Sequence, residues 1–198
     1  MEEFQLRTGR LVLREWRDAD REPFAEMNAN PEVMEFFPST LERQTSDVMV
    51  DRFRREFAEL GFCPWALELF GVEAFIGFVG LHSVPDEMTF SPAVEVGRRL
   101  ARPFWGQGYA TEAAARVLRF GFDELGLEEL VSFTSVVNTR SRKVMERLGM
   151  SRDPDDDFEH PRLPEGHRLR PHVLYRAVRS RFGWTPESRI GSTERACL

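Results

Sequence analysis

The stretch from Val94 to Ala113 limits the possible folds of this chain more than any other. Val94-Glu95-Val96-Gly97-Arg98-Arg99-Leu100 reads as a strand, Trp105-Gly106-Gln107-Gly108 as a turn, and a helix follows to about Glu124. Along that helix Ala110, Ala113, Ala114, Val117, Leu118 and Phe122 recur at the spacing of one buried face. A strand that feeds a glycine turn and then a long amphipathic helix belongs in a sheet with helices laid on it. The first turn of a helix carries unpaired backbone N–H groups and the positive end of the dipole. Glycines at 106 and 108 let an anion approach that backbone without side-chain interference, so the turn can hold a pyrophosphate. Other phosphate loops fit worse. A P-loop ends in Gly-Lys-Ser/Thr, and a dinucleotide fingerprint has Gly or Ala where Thr111 stands. By itself the Gly-x-Gly pattern is equally compatible with a turn that serves only helix–sheet packing.

Strand-like runs at Leu11–Trp16, Pro64–Leu69, Phe75–Leu81, Val94–Leu100, Leu130–Val137 and Val173–Val178 alternate unevenly with helical patterns at Arg21–Met27, Leu41–Leu60, Gly108–Glu124 and Thr139–Leu148. One further strand is expected near residue 151. Three strands in succession argue against uniform βαβ winding and for an α/β (α+β) fold, a mixed sheet flanked by helices. At 198 residues the chain suits one domain, expected over 5–178, with 179–198 as a surface tail in which disorder is expected. The balance of 27 basic against 33 acidic residues, net −6, weighs against nucleic-acid binding. No eighteen-residue apolar run exists, and Met1-Glu2-Glu3-Phe4-Gln5 lacks the basic and apolar parts of a signal peptide. Cys63 and Cys197 are too few for a disulfide framework and too isolated for zinc. A cytoplasmic protein without metal or membrane partner is expected.

The phosphate-turn region resembles the GNAT superfamily of N-acetyltransferases, in particular the branch of the ribosomal-protein N-terminal acetyltransferases. The family's acyl-CoA signature, Gln/Arg-x-x-Gly-x-Gly/Ala, reads here Trp105-Gly106-Gln107-Gly108-Tyr109-Ala110, and Trp-Gly-x-Gly-Tyr-Ala-Thr-Glu-Ala is that branch's recurring form. A second signature, Asn-x-x-Ser-x-x-Val followed by Gly, runs from Asn138 through Ser141 and Val144 to Gly149. Thr8-Gly9-Arg10-Leu11-Val12-Leu13-Arg14 is similar to the branch's opening strand, so the resemblance covers about residues 5–178.

That resemblance implies a mostly antiparallel sheet splayed between two parallel central strands, Val94–Leu100 and Leu130–Val136, with acetyl-CoA as co-substrate in the splay. Backbone near Arg98, Arg99 and Leu100 would pair with the pantetheine arm. Amides from Trp105, Gly106, Gln107, Gly108, Tyr109, Ala110 and Thr111 would hold the pyrophosphate, and Asn138 would bond the arm from the other strand. Arg102, Arg142 and Lys143 are candidates for the outer phosphates, with a solvated surface role as the alternative for each. It implies direct transfer of acetyl to a primary amine, on a protein N-terminus or a small molecule. An α-amine, with a pKa of about 7.7–8.0, asks less of a base than a lysine-type amine at about 10.4.

Glu95, on the strand expected to lead to the thioester, is the first candidate for general base, against the alternative of a plain ion pair with a nearby Arg. His160, His167, His172 and Glu165 border the loop before the last strand and are the other candidates. Many family members carry a Tyr acid seven residues after the motif Asn; here that position is Met145, and Ser141 is the natural replacement. Phe36, Phe37, Phe62 and Trp65 are acceptor-pocket candidates on aromaticity alone, and Cys63 reads as a small buried hydrophobe. The acidic balance mildly favours a cationic acceptor. A catalytically silent acyl-CoA-binding or regulatory module on the same fold is the alternative, and monomer and homodimer are both open.

Overall fold

The computed structural model describes residues 4–182. A hairpin of β1 (Gln5–Arg7) and β2 (Leu11–Arg14) opens the chain, followed by α1 (Arg21–Ala29) and α2 (Arg43–Leu60). Three consecutive strands come next: β3 (Pro64–Leu69), β4 (Glu73–Ser83) and β5 (Val94–Leu100). Then α3 (Tyr109–Asp123), β6 (Glu129–Ser135) and α4 (Thr139–Arg147) precede β7 (Ser151–Arg152), β8 (Phe158–Glu159) and β9 (Pro171–Val178). The strands form one sheet in the order β1-β2-β3-β4-β5-β6-β9-β7, with β8 also on β9. Every pairing is antiparallel except β5–β6, which is parallel and in register at Glu95↔Val131. The mixed, mostly antiparallel sheet expected from the sequence is therefore what forms.

Packing follows the pattern of apolar residues. On one face Phe78 of β4 meets Phe24 of α1 and Phe53 of α2, at ring centroids 5.9 and 5.7 Å apart. On the other, Trp65 of β3 meets Phe120 of α3 at 5.2 Å. A buried ion pair ties the first half together. The Arg14 guanidinium is 1% exposed and donates to both Asp20 carboxylate oxygens at 2.8 Å, to Glu68 at 3.0 Å and to the Ala74 carbonyl at 2.6 Å.

Differences from the sequence reading lie at short elements and ends. β1 and β8 are too short for a periodicity to reveal. β6 stops at Ser135, short of the expected Val137, because the Asn138 N–H donates back to the Ser135 carbonyl (2.9 Å) and starts the turn into α4. Of the tail expected from residue 179, Arg179–Phe182 form a 3-10 turn with Phe182 against Phe122 (5.6 Å), and 183–198 lie outside the described residues. No described helix is long and apolar enough to cross a membrane.

Candidate active site

A cleft of about 940 Å³ opens along β5. It is lined by the α1–α2 segment, the turn before α3, the ends of β4 and β6, and the start of α4.

The turn is built for close approach to its backbone. Gly106 and Gly108 have φ of +77° and +82°, and a Cβ at Gly106 would meet nothing within 4 Å. Gly108 is the N-cap of α3, so the first N–H groups of the helix face outward without intrahelical partners. Side chains around the turn hold its shape. The Trp105 indole N–H donates to the Leu100 carbonyl (2.8 Å), and the Gln107 amide to the Pro103 carbonyl (3.1 Å). Arg10 reaches across from the β1–β2 hairpin to the Gln107 carbonyl (3.1 Å) and lies 4.6 Å over the Tyr109 ring. It also pairs with Glu112 in the first turn of α3 (2.6 Å), whose carboxylate accepts from Thr8 as well. Those hydrogen bonds hold Glu112 below the usual carboxylate range against the raising effect of burial. Arg10 thus offsets a negative charge that would otherwise oppose an anion here.

Next to the turn, β5 and β6 part beyond Glu95, and side chains bridge the gap. Ser132 donates to the Val96 carbonyl (3.0 Å). Arg98 donates to the Ser132 hydroxyl (3.2 Å), the Ser141 hydroxyl (2.9 Å) and the Ser141 carbonyl (2.8 Å). Burial lowers its pKa to about 10, partly opposed by the charge of Glu95, so it stays a cation at neutral pH. Asn138 caps α4: its Oδ1 accepts from the Ser141 N–H (3.1 Å) and its amide donates to Thr134 (3.0 Å). The expected bond from Asn138 to a pantetheine arm therefore competes with a cap already made. Arg142, expected at the outer phosphates, turns back to the Val136 carbonyl (3.1 Å) and does not line the cleft. Lys143, with Arg140 and Arg147, lines it instead. Arg102 is also off the cleft, paired with Glu32 (2.5 Å), and Gln107 faces solvent.

Strand alternation sends Glu95, Gly97 and Arg99 to the opposite face from Arg98, toward α1 and α2. Their partners across β4 are His82, Gly80 and Phe78. Glu95 is 8% exposed, and its Oε2 lies 3.2 Å from His82 Nε2. Burial raises the Glu95 pKa, opposed by the charges of His82 and Arg98. His82 lies across Gly97, where a Cβ would fall 2.9 Å from the imidazole. This histidine is absent from the sequence reading. Its only signal there is a polar residue ending an apolar strand, and the β4–β5 register is what places it on Glu95. The alternative expected for Glu95, an ion pair with an Arg, gives way to this His82 contact.

Of the other base candidates, His160 and His172 reach the cleft, 4.8 Å apart beside Phe158, and burial lowers both pKa values. His167 and Glu165 lie outside the lining, Glu165 in solvent. Phe36 and Phe37 line the cleft, whereas Trp65 is fully buried against Phe4 and Phe120, and Phe62 packs on the core. Cys63 is buried as expected, and burial pushes its thiol up. Among the described residues no group of three or more His, Cys, Asp or Glu is placed to hold a metal.

Comparisons with known proteins agree with this arrangement. Residues 10–151 match the family model of the acetyltransferase (GNAT) domain. The FsC-acetyl coenzyme A-N(2)-transacetylase of Aspergillus fumigatus is 33% identical over 153 residues, 74% of this chain and 64% of that protein. In structure, an acetyltransferase of the GNAT family from Bacillus anthracis superposes with a TM-score of 0.75 at 23% identity, over 89% of this chain and 99% of its own. RimL, a ribosomal L7/L12 α-N-protein acetyltransferase solved with coenzyme A, has the same fold at TM-score 0.71 and 13% identity, over 88% and 98%. With its model spanning 10–151, the glycine turn before α3 and the parted β5–β6 pair, the chain belongs to the GNAT family of acetyl-CoA-dependent acetyltransferases.

Proposed function

We propose that the protein moves an acetyl group from acetyl-CoA directly to a primary amine, on a small molecule or a protein N-terminus. One observation carries the reading: a single cleft contains both the open glycine turn of α3 and a buried carboxylate, Glu95, held by His82.

The residues fit acetyl-CoA as co-substrate. Amides of the Gly106–Thr111 turn and the dipole of α3 suit its pyrophosphate, and Lys143, Arg140 and Arg147 suit its outer phosphate. The edge of β5 beyond Glu95, where pairing with β6 ends, suits the pantetheine arm.

Glu95 accepts a proton from the amine, directly or through one water, and its raised pKa brings its basicity nearer to that of the amine. The amine nitrogen forms a C–N bond to the thioester carbon, and the C–S bond then breaks with its electron pair on sulfur. Arg98 already donates to Ser141 Oγ, so that oxygen's own proton is free to point at the leaving sulfur. The guanidinium behind it lends positive charge to the developing thiolate. The proton lost by the amine balances the one the thiolate finally takes up. Ser141 with Arg98 behind it thus stands in for the Tyr acid that Met145 replaces.

The test is release of free CoA thiol from acetyl-CoA across a panel of primary amines. Release that needs an amine and is lost in Glu95→Gln is expected. CoA binding without release for any amine would overturn the reading in favour of a silent acyl-CoA-binding module.

A further inference from the structure

The acceptor side of the cleft contains a cation that the transfer chemistry does not use. Arg99 shares a strand face with Glu95, two residues beyond Gly97. Its guanidinium stacks on Phe37 at 4.0 Å and lies 5.4 Å from the Phe78 ring. One hydrogen bond anchors it, from Nη1 to Asn28 Oδ1 (2.6 Å). Asn28 is itself fully buried and fixed by donating to Ser46 (3.0 Å). The Arg99 Nε is buried and has no hydrogen-bond partner. No carboxylate among the described residues pairs with it, and only burial acts on its pKa, lowering it to about 10. At neutral pH this is a half-buried positive charge, its Nε closed off from water, without a counter-ion among the described residues, an arrangement that costs stability unless something pairs with it.

The surroundings have the same sign. Seven Arg and Lys side chains line the cleft; Arg52, Arg140 and Arg162 are paired with Glu56, Glu35 and Glu87, which leaves Arg98, Arg99, Lys143 and Arg147 against Glu95, in a chain whose net charge is −6. The bias of the site is thus opposite to the overall balance from which a cationic acceptor was expected. Arg140, Lys143 and Arg147 stand on α4 with the phosphate end, but Arg99 faces α1 and the α1–α2 segment. A planar guanidinium stacked on aromatic rings, with Nη1 held by Asn28 and Nη2 left for a ligand, can receive a carboxylate. Four residue steps of strand run from Glu95 to Arg99, roughly 13 Å of backbone, shortened by the reach of both side chains.

We propose that the acceptor is a primary amine bearing a carboxylate, its amine at Glu95 and its carboxylate on Arg99 between Phe37 and Phe78. This rests on the acetyl-transfer reading above. The same chemistry comes from a free amino acid or from a peptide N-terminus with an acidic side chain.

The experiment compares matched acceptors in the CoA-release assay: 5-aminopentanoate, pentylamine and 1,5-diaminopentane, then glycine and 3-aminopropanoate for spacing. Amidated peptides beginning Ala-Asp and Ala-Ala separate the two sources. At least about a tenfold preference in kcat/KM for the carboxylate member of a matched set is expected, expressed in KM. Arg99→Gln should abolish that preference and Arg99→Lys should keep part of it, with an unchanged stabilisation by CoA certifying the fold. Equal or better use of pentylamine or the diamine, or a preference that survives Arg99→Gln, overturns the proposal. Absence of turnover with every amine would instead overturn acetyl transfer. In that case, stabilisation of the CoA complex by 5-aminopentanoate, lost in Arg99→Gln, still reads the anion site, and its absence in the wild type rejects it.

Discussion

Substitution of Gly108 separates the two demands placed on the turn before α3. At φ +82° a Cβ is strained, and its nearest neighbour would be Arg10 Nη2 at 3.5 Å, an ordinary contact. The cost of Gly108→Ala is therefore the left-handed conformation alone, about 1–2 kcal/mol. For a chain of this size each kcal/mol moves Tm by about 2–4 °C, so the unliganded variant should melt about 2–8 °C lower. Gly108→Trp carries the same strain and adds bulk over the outward-facing N–H groups of α3. Ligand at a hundred times its Kd adds about 2.7 kcal/mol to the wild type, an increment of about 5–11 °C. The assay is thermal unfolding of wild type and both variants, with and without CoA. Gly108→Trp should lose the CoA increment while its unliganded Tm stays within a few degrees of that of Gly108→Ala. A full CoA increment in the Trp variant would refute the assignment of this turn to the pyrophosphate.

Glu95→Gln should lower kcat by about 10²–10⁴-fold, the usual worth of a general base. In the wild type, kcat/KM should fall on the acid side with a midpoint above the ordinary carboxylate value, because burial raises the Glu95 pKa; a midpoint at or below that value contradicts the burial argument. Arg98→Met removes a charged donor from Ser141. Such a bond is worth about 1.5–3 kcal/mol, so steady-state assays should show kcat down about 10- to 100-fold with the amine KM unchanged. Asp20→Ala strands the buried Arg14, at a cost of about 3–5 kcal/mol and about 6–20 °C by calorimetry. A loss of under about 3 °C would mean that Glu68 suffices as its partner. Burial holds the His172 pKa below its ordinary value, so the unfolded chain takes the proton first as pH falls through about 6.5. Stability should drop from that point downward, and His172→Phe should reduce the drop; an unchanged slope would show that the other groups account for it.

The fold was legible wherever an element was long and one-sided. The face of α3 from Ala110 to Phe122 shows in the sequence because every third or fourth residue is apolar, and those residues are the ones against the sheet. The three-residue β1 and two-residue β8 carry no such signal, since their pairing is set by partners elsewhere: Leu11–Arg14 for one and Pro171–His172 for the other. The buried Arg14 was unreadable for the same reason. Its partners Asp20, Glu68 and Ala74 come from three separate stretches, and an Arg at the end of an apolar run reads equally well as a solvated strand end.

In the site, what was legible was carried by contiguous backbone, and what was not depends on strand register. The glycine turn and the Asn138 cap on Ser141 lie within one strand-to-helix passage each, so local spacing suffices to find them. His82 acts on Glu95 only because β4 and β5 pair at His82↔Glu95; a slip of one residue would set Leu81 there and turn the imidazole to the opposite face. Arg98 and Arg99 make the point most directly. Side by side in the sequence they are equivalent, two cations at the end of a strand. A period of two sends one toward Ser132 and Ser141, the side proposed for the leaving thiol, and the other toward Asn28 and Phe37, the side proposed for the amine. Composition counts both as the same charge, but the sheet sets them on opposite faces of one strand, a difference that overall charge cannot carry.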